Sequence, residues 1–276
     1  MMRLSGRQTV IVFTTAGIWL VVFWLQGLLQ SNTNLKIRGP NRQLKTEHKA
    51  CPPNKYKELL AGMLQHWDKL AQLHNISYVI GLGSLLGQYR NGDIIQWDDD
   101  IDVLVDIVQY RKLRTLAEER NFVQGQDLKF RTVVQPDFEQ REEKKRRRIT
   151  CYGKEVYFQV DRCSFISPMA RVISGLRGLD IFPYVVNRTS GRIYDVEMKK
   201  YYNISHFFPF QKCVFTGIQT WCPRKIRDVL ESAYADLRPE YICENGRWVI
   251  RKLDKSENIV STGLRHWIVN FFPPWK

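Results

Sequence analysis

Four aspartates crowd into five residues at Asp98, Asp99, Asp100 and Asp102, at the threshold of the apolar run Ile101 to Val105. Between Asp93 and Asp106 stand six acids and no lysine or arginine, in a chain of 276 residues with formal net charge +14. A local field so opposed to the global one suggests a bound cation rather than a solvated surface. On a strand, Asp100 and Asp102 point the same way while Ile101 and Val103 point into a core. Two carboxylates that converge repel each other, and one takes up a proton unless a divalent ion keeps both ionised. Mg2+ or Mn2+ suits the pair, because such ions are held by one or two carboxylates and keep positions open for substrate phosphates. Asp98 can join from the start of the strand, and Asp99 is expected to face away. The plainer reading is an acidic turn or helix cap at the surface.

Upstream, the run Tyr78 to Ile80 meets Gly83 and Ser84, after which Leu85, Leu86 and Tyr89 recur at helical spacing. Ser84 is placed to cap a helix whose free N–H groups and positive dipole end form an anion site. Gly83 lets backbone approach an anion without a Cβ in the way. Arg90 lies between the two halves, in range of the same phosphate.

The stretches G-S-L-L-G-Q-Y-R (83 to 90) and I-I-Q-W-D-D-D-I-D (94 to 102) resemble the LicD and fukutin-like group of nucleotidyltransferase-fold phosphotransferases. Later matches are L-D-I-F-P (179 to 183), F-P-F-Q-K-C-V-F-T-G-I and P-R-K-I-R-D-V-L-E-S-A-Y (223 to 234), so the likeness covers residues 53 to 237. It implies an α/β (α+β) fold, a polymerase-beta-like mixed sheet flanked by helices. It also implies transfer of a phospho-alcohol, such as phosphocholine, ribitol phosphate or glycerol phosphate, from a CDP-linked donor to a glycan hydroxyl, with CMP leaving. A two-metal phosphoryl-transfer site usually wants a third carboxylate from a neighbouring strand. Two expected strands carry one acid each, Asp161 and Asp180, and the family motif favours Asp180, with Asp161 in reserve. Asp98, Asp100, Asp102 and Asp180 are then the catalytic set, with Asp100, Asp102 and Asp180 on the metal and Gly83, Ser84 and Arg90 on phosphate.

Several elements must position these groups. Tyr56, Leu59, Leu60, Met63, Trp67 and Leu70 make one apolar helical stripe after Pro52 and Pro53. A helix over 107–120 should return the chain to the sheet, followed by strands near Phe122 and over Lys129 to Val134. Residues 139–148, E-Q-R-E-E-K-K-R-R-R, read as a solvated loop or as a basic flap over an anionic donor. The segments Thr150 to Val160 and Gly178 to Val186 have strand patterning, and Lys212 to Cys222 reads as a hairpin about a Thr-Gly turn. Pro223 is expected to start a helix with Ile226, Val229, Leu230, Ala233 and Tyr234 on one side. Trp267, Phe271, Phe272 and Trp275 show no period.

Val10 to Leu29 is mostly apolar and free of charge, and at 1.5 Å per residue it spans roughly 30 Å, a bilayer core. The expected organisation is a cytoplasmic tail (1–9), a transmembrane anchor (10–29), a stem (30–52) and a luminal domain (53–276) of a single-pass type II protein in the Golgi or endoplasmic reticulum membrane. A cleaved signal peptide would have a shorter apolar region ending in small residues. Six cysteines without a C-x-x-C pair fit disulfides in an oxidising compartment better than structural zinc. Sequons at Asn75, Asn187 and Asn203 fit the secretory pathway. The basic charge brings nucleic acid to mind, but an anchor and sequons point away from it. Two rivals stay open: a Golgi glycosyltransferase using Asp-x-Asp on a nucleotide sugar, and a non-catalytic scaffold. Only one helix, one strand and a turn separate Cys51 from Asp100, too little for the βαβ half a glycosyltransferase would need first.

Overall fold

The computed structural model describes residues 49–121 and 129–251. The expected anchor and tail, nearly all of the stem, the strand near Phe122 and the aromatic residues from Trp267 onward lie outside them. Among the described residues no helix is long and apolar enough to cross a membrane.

The apolar stripe after Pro53 forms helix α1, Lys57–Leu73, which buries Leu60, Met63, Leu64, Trp67, Leu70 and Ala71. Fully burying a side chain such as Leu60 or Met63 is worth about 1.5–3 kcal/mol, so this face holds the helix on the sheet. Strand β1 (Tyr78–Ile80), helix α2 (Leu82–Asn91) and strand β2 (Asp100–Asp106) follow. The helix expected over 107–120 begins as a 3-10 turn, Ile107–Gln109, capped by the Asp106 carboxylate, and continues as α3, Tyr110–Asn121. Next come β3 (Arg131–Val134), the short pair β4 (Arg148–Ile149) and β5 (Glu155–Val156), then β6 (Ala170–Ser174) and β7 (Arg177–Asn187). Strands β8 (Arg192–Asp195) and β9 (Lys200–Asn203) lead to α4 (Ile204–Phe207), the hairpin β10 (Gln211–Phe215) and β11 (Ile218–Cys222), helix α5 (Ile226–Ala233), and the hairpin β12 (Tyr241–Glu244) and β13 (Arg247–Ile250).

The central sheet runs β1-β2-β7-β6-β3, with β8 and β9 added along the later half of β7. Its β2–β7 pair is parallel and its other pairs are antiparallel, so the expected mixed α/β architecture is what forms. Strand β7 is buried from Gly178 through Tyr184, the near-continuous run typical of a strand covered on both faces. The Lys212 to Cys222 hairpin is also present: Thr216 and Gly217 both have positive φ, 48° and 80°, as a two-residue turn between right-twisted strands requires.

Two expectations fail. Thr150 to Val160 is not one strand, because Gly153 turns at φ 78° and donates to the Thr150 carbonyl, leaving a two-residue pairing. Tyr157, Phe158 and Val160 are exposed, so their patterning reflects a loop closed by the Cys151–Cys163 disulfide rather than a buried face. The last expected helix starts at Ile226, not at Pro223. Within the charged run, Lys144 and Lys145 both pair with Glu142, and the segment lies exposed, as a solvated loop does.

Candidate active site

Parallel pairing of β2 with β7 sets Asp102 beside Asp180 and Asp100 beside Gly178. Ile101 and Val103 are fully buried on the opposite face of β2, which fixes the direction of Asp100 and Asp102. Carboxylate oxygens of Asp100, Asp102 and Asp180 lie within 4.8 Å of one another. A Cβ at position 178 would stand 3.1 Å from Asp180 Oδ1 and 3.0 Å from Arg171 Cδ, so glycine there leaves space for the pair that closes the site.

That pair is a fork. Arg171, opposite Asp180 in the β6–β7 register, donates from Nε to Oδ1 at 2.5 Å and from Nη2 to Oδ2 at 2.6 Å. Its Nη1 donates to the Cys163 carbonyl at 3.1 Å. One guanidinium thus faces three acids. Burial, followed by the charges of Asp180, Asp98 and Asp99, pushes the Asp100 carboxyl up. Burial, then Asp100 and Asp180, pushes Asp102 up as well, against a hydrogen bond from the Gly83 N–H. Three converging carboxylates, all oxygen donors and under-compensated, match the chemistry of a hard divalent cation.

Asp98 stands beside this group rather than in it. Asn54, buried, donates to the carbonyls of Ile95 and Asp98 at 2.9 and 2.8 Å and so pins the loop that carries it. Burial first, then the Asp99 charge, raises the Asp98 carboxyl to about 7. Asp99 turns to Arg177, whose guanidinium also meets the Tyr56 hydroxyl and lies 3.9 Å from that ring's centre. It faces away, as expected.

The phosphate residues are placed differently from expectation. Helix α2 is capped by Gly81, not Ser84. Ser84 is buried one turn inside and accepts the Asp102 N–H at 2.8 Å, fastening the helix to β2. Gly83 does admit an anion closely, but that anion is the protein's own: its N–H donates to Asp102 Oδ2 at 3.1 Å, and a Cβ would meet Asp98 at 3.2 Å and Asp102 at 3.3 Å. Leu82 between the two glycines has φ 43°, a left-handed conformation that a leucine adopts under strain. Arg90 donates to the carbonyls of Leu237 and Arg238 at 2.9 and 2.6 Å, so its guanidinium ties down the chain after α5. Asp161, the reserve acid, accepts the Cys151 N–H at 3.3 Å. Its neighbours Cys151 and Cys163 are joined to each other, so no thiolate is available there.

Arg171, Asn54 and Tyr234 are the residues that sequence reasoning missed. Tyr234 is raised by burial and by Asp102 and Asp98, and lines a groove with Tyr89, Arg90 and Arg227. Arg171 alone carried a signal, an arginine at an alternate position of an apolar strand.

Residues 75–225 match the family profile described as LicD/FKTN/FKRP, nucleotidyltransferase domain. A curated relative, the lipopolysaccharide cholinephosphotransferase LicD of Haemophilus influenzae, is 37% identical over 51 residues, 18% of this chain and 19% of that protein. The fold aligns with the crystal structure of lincosamide antibiotic adenylyltransferase LnuA, lincomycin-bound, at TM-score 0.33 and 15% identity, over 63% of this chain and 87% of the other. With the profile covering more than half of its length, the chain belongs to the LicD/FKTN/FKRP family.

Proposed function

We propose that this protein is a metal-dependent phosphotransferase that moves a phospho-alcohol from a CDP-linked donor to a glycan hydroxyl. The observation that carries the reading is the convergence of Asp100, Asp102 and Asp180 within 4.8 Å with one guanidinium to balance them. The family match and the cholinephosphotransferase activity named for the relative agree with it. Asp100 and Asp102, with Asp180 behind them, would hold Mg2+ or Mn2+, which when bound neutralises diphosphate charge. In the transfer, the acceptor oxygen bonds to the distal phosphorus, the bond from that phosphorus to the bridging oxygen breaks, and CMP leaves. Asp180 has both oxygens engaged by Arg171, so Asp98 is the better acceptor for the hydroxyl proton. Its raised carboxyl suits a general base working near neutral pH. A groove of about 730 Å³ beside the acids, lined by Arg90, Arg227 and Arg238 with Glu231 and Asp236, is the place for the nucleotide, with Arg227 free to exchange its Glu231 partner for phosphate.

Localisation is part of the proposal: a single-pass anchor at 10–29 with the domain in the Golgi or endoplasmic reticulum lumen. Asn75, Asn187 and Asn203 are all exposed, and the cysteines pair as Cys51–Cys243, Cys151–Cys163 and Cys213–Cys222, as suits an oxidising compartment. The test incubates purified protein with CDP-choline, CDP-ribitol, CDP-glycerol and UDP-sugars, with and without Mg2+ or Mn2+. The expected result is CMP release from one CDP donor, lost by about 100-fold or more in Asp100→Asn and Asp102→Asn, the scale on which losing charge stabilisation slows an enzyme. UDP release instead would assign a glycosyltransferase, and no turnover with any donor a scaffold.

A further inference from the structure

Beside the aspartates lies an aromatic cluster that the reaction above does not use. Trp97 directly precedes Asp98, and its ring centre lies 4.4 Å from that of Tyr241, inclined by 57°, and 6.4 Å from that of Trp248, inclined by 83°. Tyr241 pairs with Ile250, and Cys243 with Trp248, so Tyr241 and Trp248 are diagonal neighbours on one face of the β12–β13 hairpin. Trp97 and Trp248 leave 39% and 38% of their surface open. An isolated two-stranded hairpin is marginal in water. This one is held by the Cys51–Cys243 disulfide and by the Trp248 Nε1–H, which donates to the Pro52 carbonyl at 3.3 Å. The indole's polar atom is thus engaged, while 38% of the residue stays open. A hairpin that only sealed the core would bury such rings.

The surrounding charge selects the ligand. Glu240, next to Tyr241, lies near enough to Asp98 to raise its carboxyl. The aromatic faces are fringed by the carboxylate acceptors Asp98 and Glu240, both also felt by Arg90, whereas the groove that Tyr234 and Pro239 share mixes Arg90 and Arg227 with Glu231 and Asp236. An uncharged pyranose fits the first surface: its C–H face packs on aromatic rings, and its hydroxyls find carboxylate acceptors at the edge. We infer that Trp97, Tyr241 and Trp248 form the acceptor subsite, on which a neutral sugar ring stacks with a hydroxyl directed at Asp98. The inference rests on the phosphotransfer reading for the fate of that sugar, but its binding can be measured without turnover.

The experiment uses the full chain in detergent, without donor or metal, and the uncharged probes N,N′-diacetylchitobiose, lactose and mannobiose, read by saturation-transfer NMR. At least one probe is expected to show transfer to its ring C–H protons, with the dissociation constant raised about tenfold in Trp248→Ala and in Tyr241→Leu. Trp248→Tyr, which keeps a ring, should retain binding. Because Trp248 also fastens the hairpin, Tyr241→Leu, which leaves that hydrogen bond in place, decides the matter should Trp248→Ala melt early. Absence of transfer from all three probes, or unchanged affinity in both variants, overturns the subsite. Binding that behaves as expected in a protein releasing no nucleotide from any donor would leave the subsite standing and remove the phosphotransfer reading. CMP release with an acceptor KM unmoved by Tyr241→Leu would do the reverse.

Discussion

Asp180 has a partner built for it, whereas Asp98, Asp100 and Asp102 share what remains, and this inequality makes the acids separable by experiment. Asp180 is 4% exposed and gripped at both oxygens by Arg171. Replacing Arg171 with Ala strands a buried charge, and a loss of about 3–5 kcal/mol is expected in urea unfolding. Arg171→Ala combined with Asp180→Leu should recover most of it, since neither charge then remains unpaired. A single substitution costing under about 1 kcal/mol, the scale of a surface pair, would mean that the fork is not structural. All four acids titrate in the opposite sense from ordinary surface carboxylates, Asp180 because burial outweighs the Arg171 charge. Burial and then Asp99 hold the folded Asp98 at about 7, and Asp100 and Asp102 are raised as well, while in the unfolded chain each ionises near 4. Folded values above unfolded ones give stability that is complete below about pH 4 and lost as pH rises through about 7 for Asp98 and about 8 for Asp100. In EDTA, therefore, Tm should fall by several degrees between about pH 5 and pH 8, and Asp98→Asn should flatten the slope. Mn2+ added at the upper end should restore Tm, because a ligand of the folded state alone stabilises it. A Tm that is level or rising over that window in EDTA would show that the acids are not mutually destabilised.

Helix α2 and strand β2 are joined through Ser84, Gly83 and Asp102, and how far that junction was legible shows where local pattern stops. Alternation along D-I-D-V placed Asp100 and Asp102 on one face, because a period of two survives in any sheet context. The side of β2 on which Asp180 arrives depends on pairing with a strand some 78 residues away, which no spacing encodes; a family motif pointed to it. Ser84 misled because Gly81 and a strained Leu82 start the helix earlier than serine's capping preference suggests. Arg90 misled because its carbonyl partners come 147 and 148 residues later. Asn54 gave no signal at all, being one polar residue in a Pro-rich lead-in. The same distance argument applies to the C-terminal hairpin. Cys51 and Cys243 are 192 residues apart, and chain-entropy reasoning assigns closing so long a loop about 5 kcal/mol. Cys51→Ser with Cys243→Ser should therefore release β12 and β13 first, with amide exchange at Ile242 and Val249 approaching unprotected rates while Val103 and Ile181 stay protected. Uniform loss of protection through the central sheet would contradict a separately held hairpin.

Across the whole molecule the contrast is between a chain of formal net charge +14 and a face of converging carboxylates. A uniformly acidic protein with this cluster would repel a nucleotide diphosphate, and a uniformly basic site could not gather divalent ions. Here acids gather on β2 and β7, whereas the groove beside α2 and α5 sets Arg90, Arg227 and Arg238 among Glu231 and Asp236, with Arg227 paired to Glu231. On the proposed function, long-range attraction would belong to the donor's encounter with the protein, and contact-range attraction to a divalent ion held by the acids. These respond differently to salt, because screening acts over a Debye length of about 10 Å at 0.1 M and leaves buried contacts largely intact. Raising KCl from about 25 mM to about 300 mM should lower kcat/KM for the CDP donor about tenfold with kcat nearly constant. The acceptor KM should not move, since a neutral sugar feels no field. Arg227→Gln, on the rim of the groove and exposed, should shallow the donor's salt dependence. A donor kcat/KM indifferent to salt would place the arginines outside its path, and the groove would then need another ligand.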